Sequence, residues 1–318
     1  MPDNGNYTYK VPRTYTVAWP APLTLHRDLS CSFSCRTIVS TCNSLKACAS
    51  KPSGVFGIGT AWHRGEQLGE QKFCDNNPVS SLGGKVVLVT GAAKRIGRGI
   101  ALQLSREGAS VAIHYGGSES EARQTADECG GASLFQADLT KVSDIERMFA
   151  QIRDRMGRLD GLVNNAARFT RFHPFDLKEE DWDFIHSVNL KAVFFCCQQG
   201  AKLMLETGGG HIVNISSLGG IRPWADHAHY CASKAGVIHM TRALSIAFAP
   251  DISVNSVAPG VIPFGESEEP RIKSLIDKTP ARRAGTAGEV AEAVIHFLTA
   301  SKFVTGQLIA VDGGLSQT

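Results

Sequence analysis

A doubly wound α/β domain is the fold class this sequence predicts for residues 81–318: one parallel sheet of about seven strands with helices on both faces. Three observations predict it. From Lys85 onward, short β-branched runs alternate with amphipathic stretches of helical length. A glycine-rich segment sits at the first strand–helix junction. A composition shift near residue 80 separates this regular pattern from what precedes it.

The elements follow in chain order. Strands are expected over 86–90, 110–115, 133–136, 161–164, 210–216, 253–257 and 308–311. Helices are expected over 96–107, 119–129, 142–156, 178–206, 229–248 and 286–300. Right-handed crossovers between such units place a ligand crevice beyond the strand C-termini. A single domain of roughly 235 residues is an ordinary size for this architecture, and no second domain has room.

Residues 1–80 read differently. Residues 1–78 hold eight Lys/Arg and five Asp/Glu, are rich in Ser, Thr, Pro and Cys, and have no sustained period. Little packed structure is expected there. Between Val11 and Ser53 the only acid is Asp28, which fits an organelle transit peptide. A start site assigned too early and a disordered tail are the other readings. A secretory signal is excluded, because Pro20 and Pro22 interrupt the only apolar run.

Composition excludes several function classes. The net charge of +3 gives no electrostatic case for nucleic acid or an anionic membrane. No run approaches the roughly 18 apolar residues of a bilayer span, so a soluble chain is expected. The nine cysteines contain no CxxC pair, and no His cluster has zinc-finger spacing, so no metal is expected. Their odd number fits reduced thiols in a cytoplasmic compartment, or in a stroma or matrix if residues 1–80 are a transit peptide.

The first strand, KVVLVT, runs into Gly91-Ala92-Ala93-Lys94-Arg95-Ile96-Gly97 and then a helix rich in Ala and Leu. Glycine lets backbone turn tightly or approach a ligand, and a helix N-terminus supplies unpaired N–H groups suited to a pyrophosphate. The second strand ends in His114-Tyr115-Gly116-Gly117-Ser118, with no carboxylate to hold a ribose 2′-hydroxyl. Lys94 and Arg95 supply cations, so NADP(H) is favoured over NAD(H). Further along, Tyr230 and Lys234 stand at i, i+4 on one helix face. A phenol with a pKa near 10 gains acidity beside an ammonium, which suits Tyr230 to general acid work on a carbonyl.

Residues 83–318 resemble the short-chain dehydrogenase/reductase family in eight motifs in order: TGAAKRIG (90–97), Asp138 in ADLT, NNAA (164–167), Asn189 in SVNLKAVFF, Ser217, YCASK (230–234), Pro259-Gly260 and VDGG (311–314). The resemblance implies a Rossmann-type fold, a homodimer or homotetramer, and reduction of a small carbonyl substrate. It implies that Tyr230 donates the proton, and that Lys234 holds the nicotinamide ribose and lowers the tyrosine pKa. Ser217 would bond the substrate oxygen, and Asn189 would support a water relay to Lys234. Asp138 would lie near the adenine, Asn164 would border the cofactor, and Val261-Ile262 would contact the carboxamide.

Some residues depart from that pattern. Arg95 replaces a glycine, and Pro263 replaces a threonine that commonly contacts the cofactor. Arg95 and the later HY resemble pteridine reductases, in which Phe169 would stack on the pterin. Ser217 stands where those enzymes carry aspartate, and Gly117 where they often carry arginine. The tetrad therefore matches general carbonyl reductases, including 3-oxoacyl-carrier-protein reductases. A pteridine reductase is the rival enzyme, and a non-catalytic cofactor-binding regulator is the rival outside enzymology. The segment 263–280 is expected to be a loop covering the substrate, with Arg282 and Arg283 on solvated surface beyond it.

Overall fold

The computed structural model describes residues 82–263 and 270–318; the expected extension over 1–80 lies outside them. The chain folds in the order β1 (Val86–Val89), α1 (Arg95–Arg106), β2 (Ser110–Tyr115), α2 (Glu119–Glu128), β3 (Ser133–Gln136), α3 (Val142–Met156) and β4 (Gly161–Asn164). It continues through α4 (Glu179–His186), one π-helical turn (Ser187–Ala192), α5 (Val193–Leu205), β5 (Gly210–Ile215), α6 (Ala228–Ala247) and β6 (Ile252–Pro259). It closes with α7 (Pro270–Lys278), α8 (Ala287–Thr299) and β7 (Leu308–Val311).

The seven strands form one parallel sheet in the order β3-β2-β1-β4-β5-β6-β7. This is the Rossmann-type doubly wound arrangement that the alternating pattern implied. The order reverses between β1 and β4, which opens a crevice beyond their C-terminal ends.

Strand periodicity divides the core in two. Val87 and Val89 face one layer, with Ile100 and Leu104 of α1 and Val290, Val294 and Phe297 of α8. Val86 and Leu88 face the other, with Phe149 and Ile152 of α3 and Cys196 and Cys197 of α5. Both of these cysteines are free and buried, and burial pushes their thiols up, Cys197 to about 12. They act as small apolar residues.

Two expectations change. The single helix expected over 178–206 contains a π-helical turn around Asn189, of a kind often found at functional sites. The segment expected to be loop over 263–280 contains α7. Proline at its first position costs no hydrogen bond there, and Ile272, Leu275 and Ile276 fall on one face.

Candidate active site

A cleft of about 1090 Å³ opens at the switch point. One wall is the turn from β1 into α1. Gly91 has φ 64°, and a Cβ there would lie 2.9 Å from the Ala166 backbone. A Cβ on Gly97 would meet the Gly91 carbonyl and lie 2.5 Å from Asn165 Nδ2. The chain can pass this closely only without side chains. Arg95 takes φ 55° in the same turn, a left-handed value that is uncommon outside glycine. The first turn of α1 contains no acid, so its N-terminus favours an anion.

His114 locks this turn to the sheet. Its Nδ1 accepts from the Gly91 N–H at 3.0 Å, and Nε2 lies 3.2 Å from the Ala137 carbonyl, to which it donates. That pair fixes the neutral tautomer. Burial lowers its pKa from 6.5 to about 4, against the opposing effect of the Ala137 bond. His114 lines the cleft, yet both ring nitrogens are already engaged within the protein. The cations at this end are Arg95 and Lys94, whose Nζ lies 2.5 Å from Glu121 Oε1. Asp138 Oδ1 accepts from the Thr140 N–H and hydroxyl at 3.1 and 2.7 Å, which lowers its pKa, and Ser118 completes the rim.

At the other end Tyr230 lies in the cleft wall at the start of α6. It is nearly buried, and burial pushes its phenol up to about 12, against a hydrogen bond with the Ser217 hydroxyl that lowers it. Lys234 is buried one turn on, and its Nζ donates to the Ile215 carbonyl at 2.9 Å. Burial alone lowers its pKa from 10.5 to about 8. The expected acidification of the phenol by Lys234 is absent from this structure. The ammonium is held by backbone and lies 6.0 Å from the Tyr230 ring centroid, and burial of the phenol dominates.

The Asn189 amide serves two neighbours. Oδ1 accepts from the Arg168 N–H at 2.7 Å, and Nδ2 donates to the Arg168 carbonyl at 2.9 Å and to Ser233 Oγ at 3.3 Å. It thus ties the segment after β4 to the turn of α6 that carries Lys234. Phe169 projects into the cleft, 58% exposed, edge-on to Tyr230 at 4.8 Å and stacked on His227 at 4.8 Å.

Of the remaining expected residues, Ile96 and Ile262 line the cleft. Pro259, Gly260 and Val261 do not line it; the Gly260 N–H donates to the Val311 carbonyl and the Val261 carbonyl accepts from the Gly285 N–H. Asn164 is buried, donating to Asn214 Oδ1 at 2.8 Å and to Cys197 Sγ. Its neighbour Asn165 reaches the cleft instead, with Nδ2 donating to the carbonyls of Thr90 and Gly91. Thr90 Oγ1 accepts the N–H groups of Asn165 and Ala166 at 2.9 and 3.0 Å. Sequence reasoning missed Asn165, Thr90 and Asn214; the tandem asparagines of NNAA were the available signal.

Residues 91–316 match the family described as Enoyl-(Acyl carrier protein) reductase. The 3-oxoacyl-[acyl-carrier-protein] reductase FabG of Staphylococcus aureus is 36% identical over 240 residues, covering 73% of this chain and 98% of that protein. A double mutant of the Serratia marcescens short-chain dehydrogenase/reductase is 30% identical with a TM-score of 0.70, covering 74% of this chain and 99% of that one. The chain belongs to the short-chain dehydrogenase/reductase family. It is an oxidoreductase. Within that family, a gluconate 5-dehydrogenase from Burkholderia cenocepacia, solved in complex with NADP and tartrate, is 30% identical with a TM-score of 0.71 over 76% of this chain and 98% of that one. Among the described residues no helix is long and apolar enough to cross a membrane, and no His, Cys, Asp and Glu cluster could hold a metal.

Proposed function

We propose that this short-chain dehydrogenase/reductase uses NADP(H) to reduce a small-molecule carbonyl to an alcohol, with Tyr230 as proton donor. The observation that carries the reading is the Tyr230 phenol in the cleft wall, bonded to Ser217 and one helical turn from the buried Lys234 ammonium. The glycine turn fits a dinucleotide, because Gly91 and Gly97 let the backbone pack tightly beneath the N-terminus of α1, whose first turn lines the cleft and carries no acid to repel a pyrophosphate. Reduced nicotinamide supplies the hydride when bound.

The residues divide the remaining work. With its pKa near 12, Tyr230 keeps its proton at neutral pH until a developing alkoxide takes it. Ser217 orients the carbonyl oxygen. Lys234 holds the ribose, and the Ser217 hydroxyl, whose hydrogen bond lowers the phenol pKa, steadies the phenolate left behind. Asn189 positions Lys234 through Ser233. Gly91, Ile96 and Gly97 cradle the pyrophosphate, Asp138 and Asn165 border the adenine side, and Ile262, on the segment fixed by Pro259 to Val261, borders the nicotinamide. Asn164 supports Asn165 from behind, and His114 holds the loop.

The absence of a carboxylate over 114–118 supports NADP(H), with Lys94, Arg95 and Ser118 meeting the 2′-phosphate. Lys94 would exchange Glu121 for that phosphate. The family resemblance adds a cytoplasmic homodimer or homotetramer. One observation favours a pteridine reductase instead: the exposed Phe169 ring beside Tyr230. Steady-state NADPH oxidation with ketones, 3-oxoacyl thioesters and biopterin separates the readings. Turnover of thioesters or ketones supports the main reading, and biopterin alone supports the second. Cofactor binding without turnover of any class leaves only a regulator.

A further inference from the structure

A second recess, of about 280 Å³, lies at the opposite end of the sheet, where its central strands begin. It is formed where Lys85 leads into β1, Asp160 into β4 and Gly210 into β5, with Lys302 arriving from beyond α8. Nothing in the catalytic account uses it. Three cations converge here, Lys85, Arg158 and Lys302, against one carboxylate, Asp160.

Asp160 is already fully engaged. It accepts from Arg158 Nε and Nη2 at 2.8 and 2.6 Å, from Lys85 Nζ at 3.3 Å and from the Val86 N–H at 2.9 Å. Its carboxylate, with a side chain only 10% exposed, therefore works as a bracket that aims two cations at the recess. Lys302 is placed separately, through a 3.2 Å bond to the Gly208 carbonyl. Glycine is required beside it, because Gly209 has φ 90° and a Cβ there would lie 2.1 Å from the Asp251 carbonyl oxygen, besides 2.7 Å from Lys302 Nζ. His211 reads the resulting field. Burial lowers its pKa most, and Lys302 and Lys85 lower it further, each ahead of the opposing influence of Asp160.

We propose that this recess binds a small oxyanion of the phosphate class. A solvated charge cluster would need one cation for the buried acid, whereas here two positive charges remain in excess around a concavity. All three side chains line that concavity and keep donors to spare: the remaining hydrogens of both ammonium groups and Arg158 Nη1, which makes no hydrogen bond among the described residues. The volume suits phosphate or a short phosphate ester better than a nucleotide. Planar guanidinium and mobile ammonium together are a common phosphate donor set.

The test is calorimetric titration of the full chain with inorganic phosphate and, in parallel, glycerol phosphate, at ionic strength held constant with chloride. Tighter binding of the ester identifies the ester as ligand, and equal binding identifies free phosphate. The glycine turn of the catalytic cleft is a competing anion site, so the variants separate the two. The exposed pair K85Q/K302Q should weaken the phosphate binding that shifts His211 by roughly tenfold or more, while K94Q, in the cleft, should leave that binding unchanged. A local readout accompanies this: the His211 pKa, followed by NMR, should rise when phosphate is added to the wild type. Phosphate affinity unchanged in K85Q/K302Q, loss of it in K94Q, or a His211 pKa indifferent to phosphate would each overturn the proposal.

Discussion

At the glycine-turn end of the cleft the wall is close-packed backbone rimmed by half-exposed cations, whereas at the Tyr230 end it is side chains held almost out of water. Lys94 is 49% exposed and paired with Glu121, while Lys234 is 3% exposed and, among the described residues, hydrogen-bonded to a carbonyl alone. Backbone geometry can be specified by a few glycines and a helix start. A buried ammonium and phenol need a surrounding network and cost stability whenever they carry charge. The Tyr230 end should therefore hold catalytic power at the expense of stability, and the glycine end should do so only at Arg95.

Removing the buried ammonium gives the largest effect. Lys234→Met should lower turnover about a thousandfold. It should also raise the unfolding free energy of the cofactor-free protein at pH 7 by about 1–2 kcal/mol, because the penalty of the buried charge exceeds the lost bond to Ile215. A destabilised variant in urea titration would break the comparison.

His114 gives the next effect, in acid. Above its ordinary value of 6.5 both folded and unfolded chains hold it neutral. Between 6.5 and about 4 only the unfolded chain binds the proton, so stability falls as pH drops through that window. The loss is about 3 kcal/mol. His114→Gln should flatten that part of the stability–pH curve, and an unchanged slope would show that the histidine does not lock the turn. Arg95→Gly is the smallest change. Relief of its left-handed backbone, offset by greater freedom when unfolded, should stabilise the fold by about 0.5 kcal/mol. A thermal melt that falls would mean that Arg95 side-chain contacts outweigh the strain.

The same contrast explains what was legible in the residues. Seven strands in the right places, and the Gly91–Gly97 turn, follow from local periodicity and from glycines whose spacing has a steric cause. Tyr230, Ser217 and Lys234 were legible as a spaced set. The acidity of Tyr230 was not, because it depends on burial and on where the Lys234 ammonium points. Asn165 escaped attention for a similar reason: which of two adjacent asparagines faces the cleft depends on Thr90, seventy-five residues away in sequence. α7 was hidden by the proline and acidic residues around 263–270, although Pro270 is the residue that begins it.

In the proposed function a protonated, buried phenol delivers the proton while the glycine turn independently holds the dinucleotide. The most direct test is Tyr230→Phe, with NADPH affinity measured by fluorescence titration and turnover by NADPH oxidation on the best carbonyl substrate. Turnover should fall by at least about a hundredfold with affinity essentially unchanged. Wild-type turnover in that variant would contradict that function.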